Sequence, residues 1–332
     1  MGFSDSGINF CNRSISDDVW VRYLFFPGKN IMKNNFNKIC NLFYNQFIAI
    51  NGGLKLKMCS NRQLKVCVAG LGEVGLPTAL YIKRKGFEVW GYDISNIAVQ
   101  RAKKNGIKAR NNLCEVPFAD IYIICVSTGL KNKKPDMSPI YDVCNKIAEI
   151  GKPKLISIES TVVPGTCKKV YEIFEEKVHL VHVPHRYWSR DPIHYGVRQM
   201  RIIGGINNES LEMGLQFYED ELEIPLHVVS SIEIAELCKI AENAYRYVQI
   251  AFAEELKMIC DELKLDFNEV RKACNTKWNI EILEARDGIK GHCLPKDIRY
   301  LVSLTNFNNL LRGAIIADQI FQEQLRKKKS NP

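Results

Sequence analysis

Hydrophobic and polar positions follow different rhythms on the two sides of residue 206. Before it, short apolar runs recur between longer mixed stretches: Leu64-Lys65-Val66-Cys67-Val68-Ala69, Phe87-Glu88-Val89-Trp90-Gly91-Tyr92, Ile121-Tyr122-Ile123-Ile124-Cys125-Val126 and Lys154-Leu155-Ile156-Ser157-Ile158. Runs that are nearly continuous suit strands covered on both faces, as in a parallel sheet. The stretches between them are helical in spacing, the first reaching about Lys85. Strand and helix in alternation imply right-handed βαβ units, so residues 61–205 are expected to form an α/β doubly wound parallel sheet of the Rossmann type.

Beyond residue 206 the apolar residues step by three and four. Ile234, Cys238, Ala241, Tyr245, Val248, Phe252, Ile259 and Leu263 predict one long helix from Ser231 to about Leu263, with Ser230 or Ser231 as its cap. A helix of this length needs cover from other helices or from a second subunit. Shorter helices are expected at about 267–275 and from about Lys296. Residues 206–325 therefore read as an all-helical central domain, and 326–332 as a basic tail (Arg326-Lys327-Lys328-Lys329). Residues 1–60 carry no clean period. They are expected to be a poorly ordered extension, with Met58 as the natural start of the folded protein.

Composition narrows the possibilities. With 332 residues, 46% hydrophobic and 25% charged, the chain has ordinary globular content and length for two domains. No apolar run approaches the length that crosses a membrane. The net charge of +9 is spread along the chain without an Arg/aromatic-interleaved stretch, which speaks against nucleic acid. The first 60 residues hold seven of the Lys/Arg against three Asp/Glu. The twelve cysteines are scattered, with no C-x-x-C pair and no Cys/His spacing for zinc, so reduced thiols in a cytoplasmic protein without a metal are expected.

Two motifs carry chemistry. Gly70-Leu71-Gly72-Glu73-Val74-Gly75 is a G-x-G-x-x-G between a strand and a helix. Its first glycine permits the tight turn, its second admits a pyrophosphate, and its third lets helix and strand approach. Asp93 ends the next strand, where a carboxylate binds ribose hydroxyls and repels a 2′-phosphate, so NAD is expected over NADP. Alternatively, the glycines form a structural turn and Asp93 is a surface acid. Gly291-His292-Cys293-Leu294-Pro295-Lys296-Asp297 places a cysteine at a helix start, where Lys296 and the helix dipole would lower its thiol pKa. Cys293 is then a nucleophile or a packed loop cysteine. Lys239 and Asn243 are four apart on one helix face, either aimed into a cleft or simply solvated.

Four segments occur in order: Gly70–Pro77 (GLGEVGLP), Glu159–Thr166 (ESTVVPGT), Lys239–Arg246 (KIAENAYR) and Gly291–Asp297 (GHCLPKD). Together they resemble the nucleotide-sugar 6-dehydrogenases, the UDP-glucose/GDP-mannose dehydrogenase family, and most nearly the UDP-N-acetylmannosamine dehydrogenase type. The resemblance runs from about Leu64 to Leu325. It implies a four-electron oxidation of a sugar CH2OH to a carboxylate with two NAD, for glycan precursors, through a thiohemiacetal and a thioester on Cys293. It further implies that Asp297 and Thr128 activate water and that Lys239 and Asn243 hold oxyanions. Cofactor contacts are expected from Gly70, Gly72, Glu73, Val74, Gly75, Asp93, Ser127, Thr128, Glu159 and Thr161. Subunits are expected to pair as a homodimer through helix 231–263.

The chain departs from the family pattern in three ways. His185 stands where the family has an acid/base glutamate and is expected either to serve as the catalytic base or to mark altered chemistry, and Val126-Ser127-Thr128-Gly129 replaces a Val-Pro-Thr-Pro turn. The sequence runs about 35 residues past Asp297, and the family's nucleotide-closing third domain is expected to be missing from it. Two rivals keep the same fold: a two-electron 3-hydroxyacid-type dehydrogenase, which needs no cysteine, and a NAD-binding homologue without catalysis.

Overall fold

In a computed structural model of the chain, residues 64–330 are described. The expected N-terminal extension and the Met58 start lie outside them.

The strands are β1 (Lys65–Ala69), β2 (Glu88–Tyr92), β3 (Lys108–Arg110), β4 (Ile121–Ile124), β5 (Gly129–Lys131), β6 (Lys134–Asp136), β7 (Leu155–Ile158), β8 (His179–His182), β9 (Arg201–Gly205) and β10 (Leu226–Val228). The helices are α1 (Gly75–Arg84), α2 (Asn96–Lys104), α3 (Ser138–Ile150), α4 (Thr166–Ile173), α5 (Asn208–Leu215), α6 (Ile232–Glu262), α7 (Phe267–Cys274), α8 (Cys293–Leu304) and α9 (Asn309–Ser330).

Eight strands form one sheet in the order β10-β9-β8-β7-β4-β1-β2-β3, and β5 and β6 make a separate hairpin. The reversal of strand order beside β1 is the doubly wound arrangement, which puts a ligand crevice at the carboxyl ends of β1 and β4. The central strands β4 and β7 are wholly buried, as continuous apolar runs require. One expectation needs correction: the sheet is mixed, because β9 runs antiparallel to β8 through Val181–Gly205 and His182–Gly204 pairing. No helix intervenes between β8 and β9 to carry the chain back for a parallel crossover.

The sheet also reaches past residue 206. β10 pairs in parallel with β9, and α5 tucks the buried Gly214 against Val181 and Ile203. Residues 208–228 thus belong with the sheet, and the helical layer begins at α6. Ser231 caps α6, accepting from the Ile234 N–H at 3.4 Å. At the other end of the chain, the basic segment after Leu325 continues α9 to Ser330 rather than forming a separate tail.

Helix α6 is apolar nearly all round. Its Ile232, Ala235, Ile240, Ala244, Tyr247, Ala251 and Cys260 are buried. The stripe expected to drive packing lies on the other side: Ile234, Tyr245, Phe252, Ile259 and Leu263 are exposed, Tyr245 by 66% and Phe252 by 55%. Glu236 ties α6 to the sheet layer by accepting from Gly165 N and Cys167 N, both at 2.7 Å, at the start of α4, which has no side-chain cap of its own. Among the described residues, no helix is long and apolar enough to cross a membrane.

Candidate active site

The glycine turn sits at the carboxyl end of β1. Gly70 has φ +93°, and a Cβ there would meet the Cys125 carbonyl at 2.5 Å. A Cβ on Gly75 would lie 1.8 Å from Gly70 O, whereas one on Gly72 would meet nothing within 4 Å. The first and third glycines are therefore needed by the fold, and the second leaves open space for a ligand. Helix α1 starts at Gly75 with no side-chain cap and no acid in its first turn, so its amides are available to an anion. These features fit a dinucleotide pyrophosphate.

Asp93 lies beside this turn. Its Oδ2 accepts from Leu71 N at 2.7 Å and its Oδ1 from Ser95 N at 2.8 Å. Arg101 donates to Leu71 O at 2.7 Å, and Gly70 N to Tyr92 O at 2.7 Å. The carboxylate is thereby fixed at the place where a dinucleotide ribose would lie. Glu73 is exposed and Val74 half-buried on the same turn.

Opposite it, past the end of β4, Ser127 is exposed, and Thr128 is buried, donating to Thr161 O at 2.8 Å. Lys296 of α8 donates to Thr128 Oγ1 at 3.2 Å, stands 2.7 Å from Asp297 Oδ1 and lies 4.3 Å from the centre of the Tyr300 ring. Asn243 of α6 donates to Asp297 Oδ2 at 2.5 Å. Lys239, one turn before, feels both Asp297 and Cys293; burial lowers its pKa, against the raising influence of Glu242, Asp297 and Cys293. The structure thus brings Cys293, Lys239, Asn243, Lys296, Asp297 and Thr128 together, from α6, α8 and the end of β4.

Cys293 is the first residue of α8, as expected, and is exposed. Its thiol is shifted the other way from expectation. Partial burial of the sulfur in the cleft and then Asp297 raise its pKa, outweighing Lys296 and Lys239. Asp297 stands one turn along the same helix, so the lysines on which the expectation rested are partly neutralised by its carboxylate.

Glu159 and His185 fall in a buried cluster of their own, near enough to Lys239 for its charge to help lower the His185 pKa. The Glu159 side chain is fully buried. Its Oε1 accepts from Arg201 at 2.9 Å and from the Tyr218 hydroxyl at 2.6 Å, and Tyr218 also bonds Ser157 at 2.6 Å. Burial alone would push this carboxyl up, but His185 and Arg201 bring it down to about 2. His185 Nε2 contacts Glu159 Oε2 and also lies 3.0 Å from Thr78 Oγ1 on α1, while its Nδ1 is buried without a hydrogen-bond partner among the described residues. Burial first, then Arg201, lower the His185 pKa, against the raising pull of Glu159. The Glu159 carboxylate is accordingly turned into the protein, not toward a cofactor, and His185 lies between sheet and α1. Cys125, Glu159 and His185 bring one donor atom each within 4.8 Å of one another, yet Arg201 already supplies the positive charge there. Arg201, Tyr218, Ser157 and Glu236 escape a reading of sequence, because a buried charge among apolar neighbours leaves no periodic signal.

Two domain models of one family match the chain. The NAD binding domain of the UDP-glucose/GDP-mannose dehydrogenase family covers residues 102–221, and the central domain of that family covers residues 233–316. The UDP-N-acetyl-D-mannosamine dehydrogenase of Methanococcus vannielii is 35% identical over 273 residues, 75% of this chain and 64% of the relative. Protein CapL of Staphylococcus aureus is 33% identical, over 71% of this chain and 61% of its own. The solved UDP-D-ManNAc dehydrogenase of Pyrococcus horikoshii superposes with a TM-score of 0.71 at 26% identity, covering 78% of this chain and 69% of that one. The chain thus spans somewhat under two thirds of the length of the curated relatives it matches.

Proposed function

This chain belongs to the UDP-glucose/GDP-mannose dehydrogenase family, and we propose that it oxidises the CH2OH group of a nucleotide sugar to a carboxylate in two NAD-dependent steps with Cys293 as covalent nucleophile. The observation that carries the proposal is the convergence of Cys293, Lys239, Asn243 and Asp297 on one cleft beside the glycine turn. A UDP-sugar is the first choice of substrate, since the relatives from Methanococcus vannielii and Pyrococcus horikoshii are named as UDP-N-acetyl-D-mannosamine dehydrogenases. The product would serve glycan-precursor synthesis.

Bound NAD supplies the hydride acceptor, twice per substrate. The chain's own residues handle the oxygen, the sulfur and the protons. Lys239 and Asn243 donate toward the reacting oxygen and hold it as charge develops there. Once an aldehyde has formed, the Cys293 sulfur bonds to its carbon, and the former carbonyl oxygen becomes the oxyanion of a thiohemiacetal. Cys293 must lose its proton first. Lys239, its basicity lowered by burial, and Asp297 are the neighbouring acceptors. Removal of the second hydride leaves a thioester. Water placed by Thr128 and Asp297 then attacks it; the C–S bond breaks, and the thiol is restored as the carboxylate leaves. The sum is RCH2OH + H2O + 2 NAD+ giving RCOO− + 2 NADH + 3 H+. His185, held between Glu159 and Thr78, is assigned to the wall of the site, where it sets the position of α1 against β7.

We further propose that two copies pair through the exposed apolar face of α6, where Ile234, Tyr245, Phe252, Ile259 and Leu263 stand uncovered in the single chain.

The test is NADH formation on a panel of UDP- and GDP-sugars, beside Cys293→Ser. Two NADH per sugar, with the variant producing no carboxylate, is the expected result. One NADH per product, or a Cys293→Ser variant that turns over normally, would favour a two-electron hydroxyacid-type reaction and overturn the covalent route.

A further inference from the structure

The segment that delivers Cys293 lies between α7 and α8 and has no regular structure. It holds two positive-φ glycines, Gly288 and Gly291. Something outside the segment must fix it. Four residues before Cys293, the Ile289 N–H donates to Asp318 Oδ1 of α9 at 2.9 Å. Asp318 is 4% exposed and accepts two further bonds, from the Tyr247 hydroxyl at 2.6 Å and from Gln322 Nε2 at 2.8 Å. Three donors aimed at one carboxyl match an acceptor-only carboxylate.

A second carboxyl adjoins it. Glu254 of α6 is fully buried, and neither of its oxygens has a hydrogen-bond donor among the described residues. Two dry carboxyls side by side do not both ionise, because like charges at short range in a low dielectric repel strongly. Glu254 is the one without donors, so it keeps the proton and its O–H turns to Asp318. We propose that Glu254 is a positioning residue: as a neutral acid bonded to Asp318, it holds that carboxylate in place to anchor Ile289 and so the Cys293 segment.

The surroundings agree. Burial and then Asp318 push Glu254 up to about 8. The ionisable groups around the pair are Tyr247 on α6, Asp318 on α9 and Arg299 on α8, whose charge reaches Tyr247. A carboxyl whose folded pKa exceeds its unfolded value stabilises the fold at low pH, and that stability is lost as pH rises through the folded value. The anchor therefore weakens as pH rises from the ordinary carboxyl range toward about 8 and loses no more above that. The pair matters to catalysis only if Cys293 is the nucleophile, but it can be tested without turnover.

The experiment follows hydrogen exchange of the Ile289 amide in the ligand-free protein between pH 6 and 10, corrected for intrinsic exchange. In the parent protein, protection is expected to fall by about tenfold per pH unit from pH 6 and to level off near pH 8, where Glu254 is ionised in the folded state as well. Glu254→Gln keeps a donor to Asp318 and cannot ionise, so the fall between pH 6 and 8 should vanish. Asp318→Asn removes the like charge while leaving an acceptor for Ile289; burial still raises Glu254, so the fall should end at a lower pH than in the parent, and this variant serves if Glu254→Gln does not fold. A parent protein whose protection does not fall between pH 6 and 8, a fall that persists in folded Glu254→Gln, or one that ends at the parent's pH in folded Asp318→Asn, overturns the proposal. Neither result touches the NADH stoichiometry, so the two readings fail separately.

Discussion

Replacing Arg201 by methionine would leave the Glu159 carboxylate buried without its cation. The Arg201 and Glu159 side chains are 1% and 0% exposed, so water cannot take over. Breaking a buried pair from one side costs about 3–5 kcal/mol. Tyr218 and His185 stay as partners, which points to the lower end. With a urea slope of about 3 kcal/mol per molar, the midpoint should drop by about 1 M at pH 7. The pH dependence has a definite sign. A depressed carboxyl stabilises the fold above its unfolded pKa, and that stability disappears as pH falls from 4.5 toward about 2. The parent protein should therefore lose stability over that window, and Arg201→Met should lose less there, since its Glu159 protonates more readily. Adding Glu159→Gln to Arg201→Met should restore most of the loss by removing the stranded charge. Urea unfolding followed by tryptophan fluorescence measures all three. An Arg201→Met protein within about 1 kcal/mol of the parent would refute the reasoning, since that is no more than an exposed pair is worth. A double variant no better than the single would do so too.

The second and third glycines of the turn should separate fold from ligand. Gly72→Ala adds a methyl in open space, so thermal stability should hold within about 0.5 kcal/mol, while calorimetry should find NAD weaker by at least about tenfold, or 1.4 kcal/mol. Gly75→Ala drives a methyl to 1.8 Å from Gly70 O and should cost about 3 kcal/mol, the upper end of overpacking, visible as a lowered melting temperature without ligand. At the α6 face, Tyr245→Asp with Phe252→Asp should give a monomer by light scattering at micromolar concentration where the parent gives a dimer; a parent that is already monomeric would count against pairing there.

Much of the architecture was legible because burial on both faces writes itself into sequence. β4 and β7 are continuous apolar runs, and α6 begins and ends within one residue of the span its periodicity implied. The face of α6 was harder. With apolar residues on nearly every side, the period marks two stripes and does not say which one the same chain covers. The short edge strand β10 and the reversed β9 were missed, since three to five residues with little alternation leave no period. The β5–β6 hairpin turns on Asn132 and Lys133, both at positive φ, without the glycine that would announce such a turn. In the site, Cys293, Lys239, Asn243 and Asp297 stood out through their motifs, and the structure brings them together. What the sequence could not carry was the electrostatic balance. The Cys293 thiol is raised because Asp297 and burial outweigh the lysines, and that sum depends on distances through space.

Helix α6 also sets what kinds of divergence this chain can survive. Glu236 near its start caps α4, Lys239 and Asn243 face the cleft, and Tyr247 and Glu254 meet Asp318. From Glu236 to Glu254 is 254 − 236 = 18 residues, about five whole turns, so the two buried carboxyls project on the same side. One residue gained or lost between them would swing everything downstream by about 100° and pull the later contacts out of line together. Point substitutions can be absorbed one at a time, but an insertion or deletion here strikes every task at once. Descendants of this sequence should therefore vary in length in their loops, while the spacing from 236 to 254 stays fixed even where the residues themselves have changed.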